Sequence, residues 1–128
     1  MIGLDTNILV RYIAQDDKTQ SLLATRLIEG ECSESNPGYV GQVVLAEVVW
    51  VSESRYGATR AEVAQIVRRI LSIRQLTVQN VEIAWQALRA FEVGKADFAD
   101  CLIERTASAA GCGRTMTFDK KAGMTLLA

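Results

Sequence analysis

Five carboxylates stand where an acidic site would need them: Asp5, Glu47, Asp97, Asp100 and Asp119. Asp5 follows a short apolar start, Met1-Ile2-Gly3-Leu4, and Asp119 follows Thr115-Met116-Thr117-Phe118. Both runs read as strands, and ligands of open parallel sheets bind beyond the carboxyl ends of the strands. Asp5-Thr6-Asn7 also reads as a plain helix cap. Glu47 has four apolar or small residues on either side, in a helix expected to expose only a narrow strip. Burying a lone carboxylate is costly, so it calls for either an Arg partner or a cation. Asp97, Asp100 and Glu104 share one helical face at i, i+3 and i+7, while Phe98, Cys101 and Leu102 turn inward. Acids in a first helical turn also suit the helix dipole, which offers a simpler account of Asp97 than of Asp100.

Histidine is absent from the chain. That removes Ser-His and Cys-His nucleophilic pairs, imidazole acid-base catalysis and the common zinc sets. Several carboxylates without histidine suit hard oxygen-preferring ions, Mg²⁺ with Mn²⁺ as the alternative, and such ions point to phosphate as substrate. Net charge is −1, yet setting those five acids aside leaves ten others against 14 Lys and Arg, a balance of +4. That balance permits binding to a phosphate backbone.

The elements that must position these acids alternate. Asp17 caps a helix through its spacing to Gln20, with Leu23 and Leu27 on its inward stripe and Gly30 near its end. Glu34 to Gly38, holding the one proline, Pro37, is a loop, and Tyr39-Val40 a brief strand. A helix runs from Gln42 to about Arg55 and stops near Gly57. Thr59 and Glu62 have capping-box spacing ahead of a stripe of Val63, Ile66, Val67, Ile70 and Leu71. Leu76-Thr77-Val78 is a strand, and Asn80 caps a helix that turns Ala84, Trp85, Leu88 and Phe91 inward. Another helix spans about Ala96 to Ala110, ending at a left-handed Gly111. Thr125-Leu126-Leu127 reads as a last edge strand. The pattern predicts an α/β fold of three layers, a mostly parallel central sheet of about five strands flanked by helices. Trp50 and Trp85, each among apolar neighbours, are expected in the core.

At 128 residues the chain is read as one domain, 1–128. Its 49% hydrophobic and 23% charged residues describe a folded, cytoplasmic protein. No apolar run is long enough for a bilayer and no signal peptide is legible, so no membrane partner is expected. Cys32, Cys101 and Cys112 lack metal-site spacing, and Cys101 reads as a small buried thiol.

The run Met1 to Asn7, Glu47 in its apolar helix, Asp97-Phe98-Ala99-Asp100-Cys101-Leu102-Ile103 and Thr117-Phe118-Asp119 together resemble PIN-domain nucleases along the whole chain. In length the chain looks like the VapC toxins of toxin-antitoxin pairs. The resemblance implies a Mg²⁺-dependent ribonuclease in which Asp5 and Asp100 are the principal metal ligands and Glu47, Asp97 and Asp119 complete the pocket. It implies that Thr6, Asn7 and Thr117 orient ligands or water. It also implies RNA as substrate, a homodimer, and a cognate antitoxin of VapB type whose tail covers the site. Glu104 departs from the small residue expected there and is read as facing solvent. Lys95, Lys120, Lys121, Arg11 and Arg114 fall near the predicted site ends, where they would meet RNA backbone.

A phosphorelay receiver is the alternative with a similar strand-helix alternation. It would want paired acids after the first strand, whereas Asp5 stands alone and Glu53 falls in a helix. A haloacid-dehalogenase-like phosphatase would want an Asp where Asn7 stands. A catalytically inactive PIN-like binding module is argued against by retention of all the acids.

Overall fold

A computed structural model describes residues 1–128, which divide by their contacts into two compact units, Met1–Val81 and Glu82–Ala128. No helix is long and apolar enough to cross a membrane.

In the first unit, strands β1 (Ile2–Gly3), β2 (Gly38–Val40) and β3 (Leu76–Val78) form a parallel sheet in that order. The register sets Ile2 beside Gly38 and Gly38 beside Leu76. Helices α1 (Thr6–Ala14) and α2 (Lys18–Thr25) follow β1, α3 (Gln42–Tyr56) and α4 (Arg60–Ser72) follow β2. Leu9 of α1, Val40 of β2, Leu45 of α3 and Val63, Val67 and Ile70 of α4 are fully buried. Each such side chain contributes about 1.5–3 kcal/mol by leaving water. Asp17 accepts from the Gln20 amide at 2.8 Å as its spacing predicts. The Thr59–Glu62 capping box closes in both directions, and α3 ends on Gly57 at φ 66°.

The inward stripe expected after Asp17 is displaced. Leu23 is 58% exposed, and the buried positions are Ser21, Ala24 and Ile28. Beyond Thr25 the chain widens into a π-helical segment, Arg26–Glu31, closed by Cys32 N–H donating to Leu27 O at 2.9 Å. The buried set keeps the regular helical spacing, i, i+3 and i+7, so the period holds while the inward face runs through Ser21 and Ala24 rather than through Leu23. Trp50, expected in the core, is 67% exposed, because α3 buries Leu45, Val48, Val49 and Ser52 on its other side.

In the second unit, α5 (Val81–Val93) and α6 (Phe98–Ala109) precede two short parallel strands, β4 (Met116–Thr117) and β5 (Thr125–Leu126). Asn80 enters α5 at φ 48°, left-handed rather than in the extended backbone of most N-caps. Trp85 is half-buried, and Ala84, Ala87, Leu88 and Phe91 form the buried face of α5. Phe91 meets Phe98 edge to face, ring centres 5.9 Å apart, which seats the start of α6 on the end of α5. Gly111 is left-handed at φ 102°.

The expected sheet of about five strands is therefore a sheet of three plus a separate pair. β4 and β5 pair only with each other, and two residues apiece provide too short a ladder to recruit more.

Gly38 is a tightly packed point of the larger sheet. A Cβ there would lie 2.7 Å from Leu4 Cδ1, 2.9 Å from Leu76 Cδ2 and 3.2 Å from Cys32 Sγ. Overpacking of this kind costs about 1–3 kcal/mol, so Gly38→Ala should lower the urea midpoint accordingly with an unchanged slope. An unshifted midpoint would mean that both leucines repack freely.

Candidate metal centre

The first unit presents two of the five acids. β1 ends where the Leu4 amide donates to Tyr39 O at 3.0 Å, and the next residue, Asp5, caps α1 by accepting from Thr6 N at 2.7 Å. The helix-cap reading of Asp5 is thus correct for one of its oxygens. Thr6 is buried, and its hydroxyl donates to Glu47 Oε1 at 2.8 Å. That bond crosses from the end of β1 to the middle of α3 and fixes the Glu47 carboxylate. Glu47 itself is exposed, not buried as the apolar run around it predicts, and no Arg pairs with it. It lies on the outer face of α3 with Val43 and Trp50, so desolvation is not the source of its interest.

Gln79, just past β3, is a residue that sequence reading passed over. Its Oε1 accepts from Gln42 N at 3.0 Å and caps α3, whose N-cap residue Gly41 has no side chain to do so. The legible signal was that glycine before a helix start. Asn7 is exposed and lines a different cavity, with Arg11 and Gln20. Arg11 is engaged locally, donating through Nε to Gln20 Oε1 at 2.7 Å and pairing with Asp16 at 3.4 Å, so it braces α1 against α2.

The second unit presents the other three. Asp97 occupies the N-cap position of α6 with extended backbone, φ −66° and ψ 155°, yet its carboxylate makes no capping bond. Asp100 lies in the first turn, half-buried. Burial pushes its carboxyl above the ordinary range, and the charges of Asp97 and Asp119 push it further. Those three acids are therefore within electrostatic reach of one another. Asp119 follows β4 in a tight turn: its amide donates to Thr117 Oγ1 at 3.0 Å, and its Oδ1 accepts from Lys121 N at 2.9 Å. Thr117 thus braces the turn that carries Asp119. Glu104, expected to face solvent, is half-buried and ion-paired to Arg105 Nε at 2.5 Å, which holds its carboxyl below the usual range.

Carboxylate oxygens are the donors that a hard divalent ion takes, and the crowding of negative charge on Asp100 is what such an ion relieves. The donor chemistry fits. No group of three or more carboxylate or thiol side chains is spaced to hold an ion.

A family model for the PIN domain matches residues 2–123. The chain belongs to the PIN-domain family. No curated protein and no solved structure gives a significant match. PIN domains are generally metal-dependent nucleases, and this PIN domain is accordingly a nuclease of the hydrolase class.

Asp100 yields a signed prediction. A carboxyl whose folded pKa exceeds its unfolded one costs stability once ionised, so stability falls as pH rises between those values and stays lower above them. In EDTA, Asp100→Asn should melt a few degrees above wild type at pH 7, the gain vanishing on acidification below the ordinary carboxylate range. A variant no more stable at pH 7 would contradict the strain that burial and the neighbouring charges place on Asp100.

Proposed function

We propose that this PIN domain is a Mg²⁺-dependent endoribonuclease, the toxin of a VapBC-type pair, that hydrolyses RNA phosphodiesters at its carboxylates. Mn²⁺ is the alternative ion. The observation that carries the reading is Asp100, held half-buried in the field of Asp97 and Asp119 within a PIN-family chain. Structural acids are ordinarily separated or paired, and this arrangement costs stability unless a cation joins it.

By the resemblance, Asp5 and Asp100 would be the principal metal ligands, and Glu47, Asp97 and Asp119 would complete the acidic pocket. The ion would supply charge neutralisation, polarisation of the phosphodiester and activation of water. Asp5 is held through Oδ1 by the Thr6 amide, so its carboxylate cannot swing freely. Thr6 fixes Glu47 by its hydroxyl, and Thr117 fixes the Asp119 turn, so neither acid must be ordered when substrate arrives. Water attack with departure of the 3′-oxygen leaves 5′-phosphate and 3′-hydroxyl ends. Attack by the substrate's own 2′-hydroxyl would instead leave a cyclic phosphate.

The toxin assignment is carried over from the resemblance to VapC proteins. It brings with it a homodimer, an antitoxin of VapB type that offers a cation to the acids, and a cytoplasmic setting. Val43 and Trp50, 75% and 67% exposed on α3, are apolar surface of the kind a protein partner covers.

The test is cleavage of total cellular RNA by purified, partner-free protein with Mg²⁺, with EDTA, and with Asp100→Asn. Loss of cleavage in both controls, with 3′-hydroxyl products, is the expected result. Wild type inert with Mg²⁺ and Mn²⁺, together with no calorimetric binding of either ion, would refute the proposal.

Thr6→Val removes the hydroxyl that holds Glu47 while keeping the size of the buried side chain. Supporting hydrogen bonds of this kind are worth about 10–100-fold in activity or metal affinity, and a loss in that range is expected while Asp100→Asn loses all. Unchanged activity in Thr6→Val would show that Glu47 needs no such support.

A further inference from the structure

Three lysines gather around one cavity of the second unit. Lys95 comes from the connection between α5 and α6, Lys120 and Lys121 from the connection between β4 and β5, and all three line a cavity of about 420 Å³ floored in part by Cys101. Neither connection is loosely placed. Lys95 precedes buried Ala96, and Lys121 precedes buried Ala122, so each apolar neighbour anchors its segment. The Lys121 amide is also held by Asp119 Oδ1 at 2.9 Å. Ala122 N–H donates back to Asp119 O at 3.2 Å, and left-handed Gly123 turns the chain away. The one carboxylate that lines the cavity, Glu104, is paired with Arg105. Three lysines and one paired carboxylate are therefore the charged residues of an otherwise mostly apolar lining.

We propose that this cavity binds a phosphate of the substrate strand next to the one being cleaved, an inference that rests on the nuclease reading above. None of Asp97, Asp100 and Asp119 lines it. Yet Lys95 stands two residues before Asp97, and Lys120 directly follows Asp119. Two residues of extended chain span at most ~7 Å. Cavity and acids therefore lie within reach of neighbouring phosphates of one strand. The physical need is plain. A polyanion is repelled by clustered carboxylates, and a site that cuts it requires fixed positive charge beside them to bring it in. Lysine suits this task as a mobile point charge that holds phosphate without reading sequence. The cavity accordingly adds affinity and places the strand, and it leaves base preference to other contacts.

The test measures binding of a fluorescent single-stranded RNA in EDTA across a salt series, for wild type, Lys95→Ala, Lys120→Ala, Lys121→Ala and the triple variant. Lys18→Ala, an equal change of charge on α2 outside the cavity, is the control. Losing one phosphate contact should flatten the slope of log affinity against log salt by about 0.7, and the triple variant by about 2. In Mg²⁺ the same variants should raise KM and leave kcat near wild type, as loss of uniform binding does. Slopes and KM equal to those of Lys18→Ala, in a protein that still cleaves RNA, would overturn the cavity assignment and leave the nuclease intact. A wild type that neither binds nor cleaves RNA would overturn both.

Discussion

The burial of one acid beside two others is the constraint around which the second unit is organised. Asp100 is half-buried at the start of α6 with the charges of Asp97 and Asp119 bearing on it, and all three effects resist its ionisation. A fold selected for stability alone would have no reason to hold them so. Sheltering Asp100 needs the apolar ground that Phe98, Cys101 and Leu102 provide on the inner side of the same helix. The edge-to-face contact of Phe98 with Phe91 sets where that helix begins, and so where Asp97 and Asp100 stand. Packing supplies the energy that electrostatics opposes.

The acids of the two units are held by different means. In the first, Asp5 is fixed by the helix it starts and Glu47 by a hydroxyl from the residue after Asp5, a bond spanning 41 positions of sequence. In the second, the Asp119 turn is made by bonds two residues long, Thr117 to Asp119 to Lys121. The short-range device also delivers Lys120 and Lys121 to the cationic cavity. One turn thus places a carboxylate and two lysines side by side without a second element.

Local signals were legible wherever the chain settles matters within a few residues. The Asp17 cap, the Thr59–Glu62 box, the Gly57 and Gly111 helix ends, and the inward side of α6 follow from side chains acting on their own neighbourhood. Misreadings came from features that depend on what lies across from a segment. Apolar neighbours around Glu47 and Trp50 imply burial only if both sides of α3 are covered, and one is not. The stripe expected at Leu23 had the right period and the wrong face, since the side of α2 that is covered carries the small residues Ser21 and Ala24. Glu104 was read as solvated, although the adjacent Arg105 was available to pair with it.

By itself the sequence determined the donor types available to this PIN domain, carboxylates in a histidine-free chain, and the order of strands and helices that carries them. Residue types and short spacings suffice for that, because donor hardness and helical period are local properties. Tertiary structure alone decided which strands share a sheet, that Thr6 holds Glu47, that Gln79 caps α3, and that three lysines from two connections line one cavity. Each of these joins residues far apart in the chain. Their meeting depends on how apolar surfaces pack, and spacing along the sequence does not encode it.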